Sequence, residues 1–161
     1  MTATTLKVRA SSPADQPTIT MEREFDAPPD VLFRAFTEAE ALKTWYGPNG
    51  FTITVLAMDF RVGGPFRFTM HGPDGTDYPN RIEYRDIKPG ERLDYRHGSD
   101  IDNDPNAFEV TTTFKALGPK RTLLTRTSVF PSIEARNAVM KFGAVELGMQ
   151  TLEKLAAYVK K

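Results

Sequence analysis

From Gly50 to Phe130 the chain repeats one unit, a short run rich in β-branched and aromatic residues followed by reversal chemistry. This block limits the fold more than any other feature. Six runs read as strands: 51–60, 66–71, 81–88, 92–97, 108–117 and 122–130. Between them stand Gly63-Gly64-Pro65, Gly72-Pro73-Asp74-Gly75, Pro89-Gly90, the segment 98–106 and Gly118-Pro119. Most of these connections are short, so neighbouring strands pair antiparallel as a meander.

The flanks supply one more strand and the helices. Residues 18–26 alternate, with Ile19, Met21, Arg23 and Phe25 on one face and Thr20, Glu22 and Glu24 on the other. Pro28-Pro29 stops that strand and presets a helix carrying Val31, Leu32, Ala35 and Phe36. A second short helix is expected to start at Thr37, with Glu40 completing a capping box, and to end after Trp45, before Gly47-Pro48. Residues 132–160 read as one long helix capped by Ser132, with Ala138, Phe142, Val145, Met149, Leu152 and Ala156 as its apolar stripe. At about 1.5 Å per residue it reaches roughly 40 Å, enough to cross a sheet. Gly143 and Gly148 within it mark close backbone packing or a bend.

The sum is an α+β domain: a curved antiparallel sheet of about seven strands, wrapped around a long C-terminal helix, with two short helices after the first strand. Residues 1–17 lack an apolar run and read as a flexible leader, leaving 18–161 as a single domain. A length of 161 residues suits one domain with a real core. The chain has no cysteine, which removes disulfides, thiol nucleophiles and Cys-type zinc sites. Its 21 basic and 21 acidic residues cancel, against the basic footprint of a nucleic-acid partner. No apolar run approaches the roughly 18 residues of a membrane span, and a cytoplasmic location is the default. No cofactor is expected.

Three stretches carry a family resemblance. They are Phe25-Asp26-Ala27-Pro28 with the following Val31-Leu32-Phe33 and Ala35-Phe36, then Trp45-Tyr46-Gly47-Pro48, then the hairpin block Asp59-Phe60-Arg61-Val62-Gly63-Gly64-Pro65-Phe66-Arg67. Together with the element order they resemble the START-like (SRPBCC) superfamily and its helix-grip fold. The chain is most similar there to homologues of the heat-shock-protein-90 ATPase activator C-terminal domain, from about residue 18 to 160. The resemblance implies binding of small hydrophobic or amphipathic molecules, with occasional enzymes (polyketide cyclases, aromatases) and a few protein partners. It also implies that the double glycine and Trp45 are architectural. The family often carries Gly-Trp in its last helix, where this chain has Gly148-Met149.

A ligand is expected in the hollow between helix and sheet. One parity of the strands makes the inner wall: Phe66, Phe68 and Met70; Ile82 and Tyr84; Leu93 and Tyr95; Phe108, Val110, Thr112 and Phe114. Leu123, Thr125 and Thr127 are expected to complete it on the last strand. The lining assigned to the ligand is Tyr84, Tyr95, Phe114, Phe142, Val145, Glu146 and Met149, the apolar members supplying burial and the polar ones orientation. Glu146 and Glu153 fall on the helix stripe, where a carboxylate needs a wet cavity or an ion pair to an arginine such as Arg81, Arg92, Arg96 or Arg126. A cyclase- or hydrolase-type enzyme using Glu146 or His97 as acid/base is the alternative. A module related to chaperone ATPase activation is the third reading, and an edge strand leaves a homodimer open. His71 and His97 read first as surface or strand-end residues. Asp100, Asp102 and Asp104 alternate like a calcium loop, but Pro105 and Thr111 stand where that loop needs glycine and glutamate, so a solvated acidic tip is expected.

Overall fold

The computed structural model describes residues 8–160. The eight strands are β1 (Val8–Ser11), β2 (Thr18–Phe25), β3 (Thr52–Met58), β4 (Pro65–His71), β5 (Asp77–Lys88), β6 (Arg92–Ser99), β7 (Phe108–Gly118) and β8 (Arg121–Val129). They form one antiparallel sheet in the order β1-β2-β8-β7-β6-β5-β4-β3. From β3 to β8 each strand pairs with its successor, and the sheet then returns to β2, so the first long strand lies beside the last. Register shifts at Val55/Ala57, Tyr84/Asp86 and Ala116/Gly118 bend it.

The eighth strand, β1, falls within the stretch 1–17 that the sequence reads as a flexible leader. Val8–Ser11 pairs with β2, and all four of its residues are exposed, so no burial pattern announces it. The chain beyond is held by buried Arg136, whose guanidinium donates to the carbonyls of Ser12 at 3.0 Å and Pro13 at 2.9 Å. Residues 1–7 lie outside the described residues.

Helices α1 (Pro29–Arg34) and α2 (Ala39–Trp45) plug one end of the sheet. The plug is locked by Trp45, 1% exposed, whose indole N–H donates to the Ala35 carbonyl at 3.0 Å. The capping box is not formed. Glu38 is the N-cap of α2, and the Thr37 hydroxyl turns back to the Arg34 carbonyl at 2.9 Å, closing α1 instead.

The single long helix divides in two, α3 (Ile133–Lys141) and α4 (Ala144–Val159). Ser132 caps α3 as expected, accepting from the Ala135 N–H. Gly143 takes a left-handed φ of 81° and breaks the helix, which resets the phase of the stripe beyond it. The buried face of α4 is therefore Thr151, Leu152, Leu155 and Ala156. At Gly148 the helix passes so close to β2 that a Cβ there would lie 2.6 Å from Met21 Cε.

The inner face of β8 is the second correction. Phe25, Arg23 and Met21 of β2 stand opposite Thr122, Leu124 and Arg126; Phe114, Thr112 and Val110 of β7 stand opposite Leu124, Arg126 and Ser128. The inward set is thus Thr122, Leu124, Arg126 and Ser128, one residue out of step with the expected Leu123, Thr125 and Thr127. Two adjacent leucines left the alternation ambiguous, and three of the four inward residues are polar.

Candidate ligand site

The interior between sheet, plug and α4 holds two adjoining cavities of about 10 Å³ each, both bordered by Phe36, Tyr46 and Tyr95. Each is about the size of one water. The first is closed by Leu42, Phe66, Ile82, Tyr84 and Leu93 and is apolar apart from its phenols. The second is closed by Trp45, Thr112, Leu124, Arg126, Thr151 and Leu152, and polar groups converge on it.

Tyr46 comes from the end of α2 and Tyr95 from the middle of β6, and their phenols lie beside each other. Burial, then proximity to Tyr95, pushes the ionisation of Tyr46 far above the ordinary phenol range. Tyr84 is raised by the same two causes in the same order. Both stay neutral phenols at any physiological pH. The Arg126 guanidinium lies beside Tyr95, and its Nε is buried with no hydrogen-bond partner. Among the described residues no carboxylate pairs with Arg126. Beside it Thr112, 1% exposed, also has an unpartnered hydroxyl. Buried polar groups are satisfied in the great majority of cases, and here two of them on one 10 Å³ cavity are not.

His97 sits on the same face of β6, two residues from Tyr95. Its Nε2 donates to Asn80 Oδ1 at 2.8 Å, leaving Nδ1 as a bare, unpartnered acceptor. Burial first, and the Arg126 charge second, push its pKa down to about 3. It is a neutral imidazole.

The expected lining separates into three groups. Tyr84 and Tyr95 are buried and border the cavities. Phe114 is buried in the core, edge-on to Phe33 and Phe36 with centroids 5.5 Å away, and borders neither cavity. Val145 and Met149 pack half-buried against the margin of the core. Phe142 is 84% exposed at the helix break, and Glu146 is exposed too. Phe142 stands at the break itself, and on α4 Glu146 lies about 200° round from Gly148, which packs on β2. Glu153 pairs with Arg23 Nε at 2.9 Å, an arginine outside the expected set.

Tyr46, Arg126 and Thr151 are the site residues that sequence reasoning did not assign. Arg126 appeared only as an ion-pair partner, because the last strand was read one residue out of step. The available signal was the pairing of β8 with β2, whose clear alternation fixes the register.

The other polar clusters are structural. His71 bridges Thr54 Oγ1 and Asp77 Oδ1, both at 2.7 Å, at the strand end where it was expected. The acidic tip is less solvated than expected. Asp100 is clamped by Arg67 and Arg81, and buried Asp104 accepts the backbone N–H groups of Ser99 and Asn106. Two larger hollows, about 280 and 330 Å³, are open grooves beside α1 edged by charged Arg34, Glu38 and Asp30. Among the described residues no helix is long and apolar enough to cross a membrane.

A sheet curled round a C-terminal helix, plugged by two short helices and enclosing a polar-lined interior, defines a helix-grip protein of the START-like type. Residues 26–160 match the family of activator of Hsp90 ATPase homolog 1-like proteins, and the chain belongs to that family. Comparison with curated protein sequences gives no match. Among solved structures, a protein of Arthrobacter aurescens superposes with a TM-score of 0.87 at 22% identity, over 94% of this chain and 91% of that one. One from Chromobacterium violaceum gives 0.73 at 28% identity, over 90% and 98%. An AHSA1 protein from Silicibacter pomeroyi gives 0.71 at 23% identity, over 89% and 97%.

Proposed function

We propose that this protein binds a small hydrophobic or amphipathic molecule between α4 and the sheet, and does so without chemistry. The observation that carries this reading is the convergence of Tyr46, Tyr95, Thr112 and Arg126 on an interior otherwise walled by apolar and aromatic side chains. A few placed polar groups in an apolar enclosure are the usual composition of a ligand site. The acid/base alternative finds less support: Glu146 faces away from the core, and the one exchangeable ring proton of His97 is engaged by Asn80. A chaperone partner is supported by the family's description alone.

Cavities of this size do not admit such a molecule without movement, since ligand pockets run to roughly 300 Å³ or more. Movement is provided for. Gly143 joins α4 to α3 through a left-handed residue, and half-buried Met70 and Met149 line the core margin with side chains that repack readily. Trp45 is the sole tryptophan and borders the second cavity, so its fluorescence reports on the interior. Titrating the full chain with decanol is expected to change Trp45 emission saturably and to raise the Tm. A flat titration with an unchanged Tm overturns the proposal.

A further inference from the structure

We infer that the molecule held here carries a single carboxylate, seated on Arg126, Tyr95 and Thr112, with its apolar part directed past Tyr46 into the first cavity. This rests on the binding function proposed above and names the class of ligand. The argument is one of unmet valence and charge. Arg126 is a permanent cation whose Nε is buried and unpartnered, and no carboxylate of the described residues offsets it. An arginine in that condition is costly to bury, and a carboxylate is the acceptor its planar fork matches. Thr112 adds an unused hydroxyl on the adjoining strand, directly opposite Arg126 in register. Tyr95 shares the cavity wall with Arg126 and can donate its own proton to an incoming anion.

The charge sum limits the head to a monoanion. Arg23 on the neighbouring strand is paired with Glu153, and His97, buried beside the Arg126 charge, stays neutral, so Arg126 supplies one uncompensated positive charge. A phosphate monoester, with close to two negative charges, leaves one unbalanced. A neutral alcohol leaves the arginine uncompensated. The direction of the tail follows from the shared walls. Tyr46 and Tyr95 border both cavities, and beyond them the first is lined by Phe66, Ile82 and Leu93. Head and tail therefore have separate, adjoining places.

The test is a set of Trp45 fluorescence titrations on the full chain at neutral pH with decanoate, decanol and decyl phosphate, which share one tail. Decanoate is expected to bind about tenfold or more tighter than decanol. Arg126→Met should abolish that preference, so that decanoate binds no tighter than decanol. Thr112→Val should narrow the preference for decanoate, and serves if the Arg126 variant does not fold. If decanol matches decanoate on the native chain, the carboxylate assignment falls while the binding function stands. If decyl phosphate is the tightest of the three, the monoanion argument falls. If the preference survives in Arg126→Met or is untouched by Thr112→Val, the head sits elsewhere. If none of the three binds, the binding function falls and this inference with it.

Discussion

His97 shows how one side chain couples the interior to solution conditions. In the fold its pKa is held near 3, first by burial and then by the Arg126 charge; in the unfolded chain it lies near 6.5. Between those values the unfolded state binds the extra proton, so stability is complete above about pH 6.5 and falls as pH drops toward 3. The loss due to this residue between pH 7 and pH 5 is on the order of 1–2 kcal/mol. Urea melts of the native chain and His97→Asn at the two pH values check this, and the variant should lose less stability on acidification by that amount. A variant that loses as much as the native chain would show that His97 is not held neutral. Arg126 is the complementary case, a charge that cannot be neutralised by titration and so needs a partner. That difference explains why the histidine, singled out early for chemistry, is the quieter of the two.

The hairpin joining β3 to β4 shows what an element asks of its sequence. Gly64 stands where a Cβ would lie 2.0 Å from the Asp59 carbonyl oxygen, a backbone atom that cannot swing aside. Gly63, with φ of 83°, donates to the Tyr84 carbonyl at 2.7 Å, and Tyr84 donates back to Gly64 at 3.1 Å. The double glycine thus fastens the hairpin to β5 at the residue that borders the first cavity. Gly64→Ala should lower stability by about 2–4 kcal/mol, read as a fall in the urea midpoint at unchanged slope. A change below about 0.5 kcal/mol would contradict the geometry. Elements of this kind were legible in advance because their residues have one physical use. The reversal sequences marked six strands, the alternation of residues 18–26 marked β2, and Ser132 marked the start of α3. What was not legible had a signal with two readings. Gly143 within an apolar stripe fits a bent helix or a broken one. The four residues of β1 face solvent on both sides and carry no pattern.

At the scale of the molecule the architecture was readable and the site only in part. Strand order and the covering helix follow from periodicity and turn chemistry, which are properties of the backbone path. The site depends on which parity of β8 faces inward, and there a polar inner face inverted the usual signal. Tyr84 and Tyr95 were reached because their strands alternate cleanly; Arg126 was missed because Leu123 and Leu124 compete for the core, and only Leu124 is in it. An inward-facing arginine whose buried Nε has no partner costs stability, and the binding proposed above would supply one. The central claim is that binding occurs in this interior and not in the wider grooves beside α1. The direct measurement is an amide chemical-shift map of the isotope-labelled full chain titrated in turn with decanoate and decanol. Binding between α4 and the sheet predicts the largest shifts at Tyr46, Tyr95, Thr112, Arg126 and Thr151. Shifts confined to the groove of Val31, Arg34, Glu38 and Tyr158, or no shifts with either compound, would contradict it.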